Sequence, residues 1–332
     1  MTQLRVGIIG CGNIGRRHAR AYRHHAPRTK LVACYDLVSE TARALAGEFD
    51  CEAEGSMEAL LARSDVDAVS ICTIEPAHLE PVIQTAAAGK HILLEKPMAM
   101  NIDDALAMLR AAEQAQVKFM VAHLFRFDQR CAAVKQAIDD GQIGDVVSVD
   151  CRFHGTPAQQ DRIKDVELSI IVFRGCHGID LMRWYTASEP VRVYAESIDG
   201  KLRKRGYHSE DAVFCLVRFE SGAVGCIEIN SHVPAGHPTG GQATMTIIGT
   251  KGMIEQNLAD PWFVLSNEQG MTFSQGNQKD MWFREEIEAF ADHVLKDGPN
   301  IASAHDAIAA LRISLAAVES ATSRVPIALG RE

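Results

Sequence analysis

The stretch Val6-Gly7-Ile8-Ile9-Gly10-Cys11-Gly12-Asn13-Ile14-Gly15 constrains the fold of this chain more than any other. A short β-branched run ends in G-x-G-x-x-G, and a helical pattern follows at once. Such a strand, turn and helix use glycine three times: Gly10 for the tight turn, Gly12 so that backbone can approach a pyrophosphate, and Gly15 for close helix–strand packing. The helix N-terminus then offers N–H groups and a partial positive charge to phosphates. Taken alone, the motif is weak. Here it follows a strand at the start of the chain, and Asp36 ends a second strand-like run 21 residues after Gly15, where a carboxylate reaches ribose hydroxyls. Dinucleotide binding is the expectation. A carboxylate there repels a 2′-phosphate, and Leu37 follows it, so NAD is favoured over NADP unless Arg16, Arg17 or Arg43 folds over the site.

Residues 1–122 alternate strand-like runs (Leu4–Ile9, Lys30–Tyr35, Ala68–Thr73, His91–Leu94, Lys118–Ala122) with helical stretches, the pattern of a parallel sheet covered by helices. Gly89 stops His78–Ala88, and Asn101 with Asp104 forms an N-cap pair opening a helix over Ile102–Gln114. The texture changes from residue 123. Val146–Phe153, Val191–Ser197, Ala212–Phe219, Val224–Asn230 and Ala243–Ile248 are strand-like, and Phe219-Glu220-Ser221-Gly222-Ala223 reads as a hairpin turn. A helix is predicted over Val166–Trp184, and Ile308, Leu311, Leu315 and Val318 share one face of another. The fold class is therefore α/β: a doubly wound Rossmann domain over 1–122, then an α+β domain of mostly antiparallel sheet over 123–332.

With 34 Lys and Arg against 43 Asp and Glu the formal charge is −9, which argues against nucleic acid or an anionic membrane as partner. No apolar run approaches the roughly 18 residues of a membrane span, and Met1–Gly10 is too short and too quickly polar for a signal peptide. The expected location is the cytoplasm. The nine cysteines are scattered and never C-x-x-C, and His123, His154, His208, His232 and His237 lack ligand spacing, so free thiols and no metal are expected. Lys201-Leu202-Arg203-Lys204-Arg205 reads as a solvated hairpin end, or as a patch that steers an acidic or nucleotide-linked sugar.

Leu94-Glu95-Lys96-Pro97 closes the fourth strand-like run, at the carboxyl edge where doubly wound sheets bind ligands. Together with Gly10-Cys11-Gly12-Asn13-Ile14-Gly15-Arg16-Arg17-His18, Thr73…His78, Arg126-Phe127 and His177-Gly178-Ile179-Asp180, it makes the chain resemble the Gfo/Idh/MocA family of glucose-fructose oxidoreductases, inositol dehydrogenases and rhizopine catabolism proteins. The resemblance spans essentially the whole chain. It implies a C-terminal domain whose large open sheet mediates homodimer or homotetramer assembly, and NAD(P)-dependent oxidation of a CH–OH group on a sugar or cyclitol. It implies cofactor contacts at Gly10, Gly12, Asn13, Ile14, Gly15, Asp36, Thr73, His78, Glu95 and Lys96, with Lys96 beside the nicotinamide and hydrogen-bonded to the reacting hydroxyl. Arg126, His154, Phe173 and His232 are the expected substrate contacts.

Hydride removal from a secondary alcohol needs one group to take the hydroxyl proton and another to hold the developing alkoxide. His177 suits the first role because imidazole titrates near about 6.5, whereas Lys96 needs desolvation or a neighbouring cation to lose its proton. Pro97 biases Lys96 away from the helical region, consistent with a functional strand end rather than a solvated charge. One departure stands out: the family pattern commonly has Asp four residues before this His, and this chain has Phe173. Asp180 is either a substitute or a buried cap or ion-pair partner. Ile74 also stands where Pro is common after Thr73. Three functions remain open: an NAD-dependent dehydrogenase, a non-catalytic dinucleotide-dependent metabolite sensor, and an NAD-assisted glycosidase in which transient oxidation activates a glycosidic bond.

Overall fold

In a computed structural model, which describes residues 3–259, 262–275 and 282–330, the early strand-like runs pair in parallel. The elements are β1 (Leu4–Ile9), α1 (Asn13–His24), β2 (Thr29–Tyr35), α2 (Ser39–Phe49), β3 (Glu52–Ala53), α3 (Met57–Ala62), β4 (Ala68–Ile71), α4 (Leu79–Ala87), β5 (His91–Leu94), α5 (Ile102–Gln114) and β6 (Phe119–Val121). The six strands run β3-β2-β1-β4-β5-β6, the doubly wound order. Helices cover both faces, so the strands are mostly apolar: Val6, Ile8, Ile71, Ile92, Leu93 and Leu94 are fully buried. Ile9 lies opposite Tyr35 and Ile71, and Ile71 opposite Leu94. That register aligns the residues that follow, Gly10, Asp36, Cys72 and Glu95, along one carboxyl edge. The Asn101 cap forms as expected, its Oδ1 accepting from the Asp104 N–H at 2.8 Å.

The second sheet is built from β7 (Val146–Gly155), β8 (Pro190–Ile198), β9 (Ala212–Phe219), β10 (Val224–Asn230), β11 (Gly241–Gly249), β12 (Gly252–Asn257), β13 (Trp262–Asn267) and β14 (Gly270–Gln275), with α6 (Gln129–Asp139) before it and α7 (Cys176–Thr186) between β7 and β8. Its nine strands run β14-β13-β12-β11-β7-β10-β9-β8 and then β15 (Ile327–Ala328), antiparallel except where β10 meets β7. The expected hairpin is present, with Phe219 N–H donating to Ala223 O at 3.0 Å. Burial alternates cleanly. Val149, Cys151, Phe153, Ile227 and Ile229 are buried, while Asp150, Arg152, His154 and Leu216 point to a face that no described element covers. α7 lies on the buried face: a Cβ on Gly178 would meet Cys151 Sγ and Ile227 Cδ1 at 2.8 Å and Phe153 Cε2 at 2.9 Å.

The helix predicted from Val166 starts later, as a π-helical turn over Ile171–Gly175 that runs into α7. Capping decides the start: Ile170 N–H donates to Glu210 Oε2 at 2.9 Å and Ile171 N–H to Ser169 Oγ at 3.3 Å. After the second sheet come α8 (Trp282–Lys296) and α9 (Ala304–Ser323). The chain divides into Met1–Asp128 with Asp280–Ile308, and Gln129–Lys279 with Ala309–Glu332. Against the sequence boundary at 122/123, the first unit thus extends to 128 and recovers a later segment. The reason is packing: Phe283, Ile287, Phe290 and Ala291 of α8 join the core of Leu4, Ile8, Ala19, Tyr22 and Phe127, and Val121 N–H donates to Ala302 O at 3.0 Å. Among the described residues no helix is long and apolar enough to cross a membrane.

Candidate active site

Gly10 adopts φ +94°, and a Cβ there would lie 2.6 Å from the Cys72 carbonyl carbon. A Cβ on Gly15 would lie 2.0 Å from Gly10 O, whereas nothing lies within 4 Å of one on Gly12. The loop is therefore tightly closed beneath and open above. α1 begins with no side-chain cap and no acid in its first turn, which leaves its N–H groups and dipole to an anion. Asp36 Oδ2 accepts from Cys11 N–H at 2.7 Å and Oδ1 from Val38 N–H at 2.9 Å, so this half-buried carboxylate braces the loop at the carboxyl edge of the sheet. Of the arginines that could have served a 2′-phosphate, Arg16 pairs with Glu48, Arg43 lies 3.9 Å from Glu40 on the surface, and Arg17 lies 5.9 Å over the Phe283 ring. An open Gly12 backbone, an uncapped helix and the Asp36 carboxylate fit NAD.

Glu95 and Lys96 leave β5 at the same edge. Glu95 is 6% exposed, with Oε1 3.1 Å from His18 Nε2 and Oε2 accepting from Lys96 N–H at 3.1 Å. Burial alone raises a carboxyl pKa, but the His18 hydrogen bond and the charges of His18 and Lys96 outweigh it and hold Glu95 below its ordinary value. Lys96 is half-buried, and its bond to Pro97 is cis. His78 is buried between two backbone carbonyls, Nδ1 3.2 Å from Met98 O and Nε2 3.3 Å from Thr73 O. Burial pulls its pKa down, so the neutral ring donates to one carbonyl and packs against the other. His78 thereby ties the Thr73 loop to the segment after Lys96. Thr73 Oγ1 in turn donates to Ala77 O at 3.0 Å. His18 lies inside the quoted glycine motif but carries no role in the sequence reading. Its signal is helical spacing, since it shares the buried face of α1 with Gly15, Ala19 and Tyr22.

In the second unit His177 is half-buried on the first turn of α7, and Asp180 is buried on the same helix. Phe173 is buried in the π-helical turn with the Arg162 guanidinium carbon 4.8 Å from its ring centroid. The other expected substrate contacts have local partners. His154 points to the uncovered sheet face, away from α7, with Nε2 3.0 Å from Glu228 Oε1 at an angle that makes no hydrogen bond. His232 Nε2 bonds the buried Asp211, whose oxygens also accept from Lys201 and Leu202 N–H at 2.9 Å. Arg126, in the first unit, donates to Ile301 O at 2.8 Å and lies 3.2 Å from Asp306.

Residues 4–123 match an oxidoreductase family with an NAD-binding Rossmann fold, Gfo/Idh/MocA, and residues 131–255 match the Gfo/Idh/MocA C-terminal domain. An inositol 2-dehydrogenase of Rhizobium meliloti (strain 1021) is 30% identical over 98% of this chain and 99% of its own. The chain belongs to the Gfo/Idh/MocA family. A myo-inositol 2-dehydrogenase of Thermotoga maritima is 28% identical over 96% of each chain. The crystal structure of a putative myo-inositol dehydrogenase from Sinorhizobium meliloti 1021 superposes with a TM-score of 0.87 at 28% identity, covering 99% of this chain and all of that one. As a Gfo/Idh/MocA protein with this glycine loop, the chain is an NAD-dependent oxidoreductase.

Proposed function

We propose that this chain transfers a hydride between a secondary hydroxyl of a cyclitol, sugar or sugar derivative and NAD. The observation that carries the proposal is the register of the first sheet, which lines the glycine loop, Asp36, Thr73 and Glu95-Lys96 along one carboxyl edge. The names of the inositol 2-dehydrogenase relatives supply the substrate class. When bound, NAD supplies the hydride acceptor. Gly12 and the N-terminus of α1 hold its pyrophosphate, and Asp36 its ribose. Lys96 stabilises the substrate oxygen as negative charge develops, and His177 accepts the hydroxyl proton. Glu95 is fixed by His18 and by the Lys96 N–H, which keeps a buried carboxylate beside the lysine. That division of roles makes Lys96 an electrostatic group and His177 the base.

Lys96→Ala tests the assignment. NAD binding should persist while turnover falls by about two or more orders of magnitude, the scale of a lost preorganised charge. Near-normal turnover would make Lys96 structural, and a full-rate His177→Ala enzyme would remove the histidine from the chemistry.

A further inference from the structure

Arg174 lies on the π-helical turn three residues before His177, and it is a cation without an acid. Its Nη1 is fully enclosed with no hydrogen-bond partner, and no carboxylate among the described residues pairs with it. Burial alone acts on it and lowers its pKa, whereas Arg28 and Arg63, each held by acids, are raised. A guanidinium set largely out of water with no acid to pair it costs stability, so the unpartnered Nη1 points to a ligand that completes it. Its surroundings are shaped for close approach. A Cβ on Gly155 would come within 2.4 Å of Arg174 Nη1 and 2.1 Å of Gln159 Oε1, so both side chains close over bare backbone at the end of β7. A second guanidinium, that of Arg162, is held 4.8 Å over the Phe173 ring on the same turn. Arg162 and Gln159 belong to a short helical segment, Pro157–Ile163, pinned from behind by the fully buried Gln160 through Ser231 and Ser209.

Resting on the reading of His177 as part of the substrate site, we propose that Arg174, assisted by Arg162, binds an anionic group, carboxylate or phosphate, on a polyhydroxylated substrate. The substrate of this chain is then an acidic relative of the neutral sugars and cyclitols. A guanidinium suits the task because its planar fork pairs two-to-two with carboxylate or phosphate oxygens.

The test uses the NAD-loaded enzyme and matched ligands: glucose, glucuronate and glucose 6-phosphate, then myo-inositol and an inositol monophosphate. Binding is read by calorimetry and turnover by NADH formation. An anionic member should bind at least about tenfold more tightly than its neutral partner, and Arg174→Gln should reduce that ratio about tenfold or more. Arg174→Lys should recover part of it, more for phosphate than for carboxylate, because an ammonium binds as a point charge. Arg162→Gln should lower the ratio by less and serves if Arg174→Gln does not fold. Whether the carboxylate or the phosphate member wins identifies the source of the anion. If no anionic member outbinds its neutral partner, or if Arg174→Gln and Arg162→Gln leave the ratio unmoved, the proposal is overturned. Arg174-dependent anion binding with no NADH from any ligand would remove the hydride-transfer reading and keep the anion site. NADH from neutral members alone would do the reverse.

Discussion

Two buried carboxyls of the first unit behave in opposite ways because their neighbours differ. Glu95 has a histidine and a lysine close by and is held below its ordinary value, whereas Glu286 is fully buried with neither oxygen hydrogen-bonded. Burial pushes Glu286 well above the carboxylate range, and the charge of Glu95 adds to the shift. The folded chain therefore keeps a proton that the unfolded chain releases above about pH 4.3. Folding takes up that proton, so this contribution to stability is full below that pH and falls as pH rises toward the raised folded value, by about 1.4 kcal/mol per pH unit. Glu286→Gln removes the dependence. Urea unfolding at about pH 5 and about pH 8 should show the variant gaining on the wild type as pH rises; a pH-independent difference would mean that Glu286 is ionised in the fold. None of this was legible in Arg284-Glu285-Glu286, which reads as a solvated charge run. Gly10, Gly15 and Asp36 were legible because they answer local backbone demands, whereas Glu286 and Arg174 become unusual only through what packs around them.

α8 shows the same limit for an element. Phe283, Ile287, Phe290 and Ala291 follow helical spacing, but the stripe does not say which half of the chain it will cover. The runs β1, β2 and β5 were readable because they are predominantly apolar, with polar residues only toward their starts, as a sheet covered on both faces requires. The sequence reading passed over β12–β14, which lie on a sheet with one open face: β12 carries Glu255 and Gln256 in mid-strand, and burial alternates along β13 although Trp262-Phe263-Val264-Leu265 is an apolar run with no polar residue to mark the period. The start of the π-helical turn before α7 was missed because its first N–H groups are held by Glu210, forty residues away in sequence from Ile170, as well as by Ser169. If α8 is integral to the first unit, Phe290→Ala should cost about 3–5 kcal/mol, since Phe290 is fully buried in that core. Denaturant unfolding measures it, and a loss under about 1 kcal/mol would detach α8 from the core.

At the scale of the whole molecule, the second sheet presents Phe214 at 43% and Leu216 at 48% exposure on its uncovered face, with Ile198 and Ile248 similarly open. Apolar side chains spread over neighbouring strands favour association. We propose that this face joins copies of the chain, with charged rows at Asp150, Arg152 and Glu255 setting the register. Sedimentation at micromolar concentration should find a homo-oligomer, and Phe214→Glu with Leu216→Glu should shift it toward the monomer; a monomeric wild type would contradict the assignment. The central claim remains the chemistry. It is tested most directly by mixing the NAD-saturated enzyme with cyclitols, sugars and sugar acids carrying deuterium at each secondary carbinol, and following reduced nicotinamide within a single turnover. The account predicts that at least one ligand yields stoichiometric NADH carrying the label. Tight NAD binding with no label transferred from any ligand would contradict it.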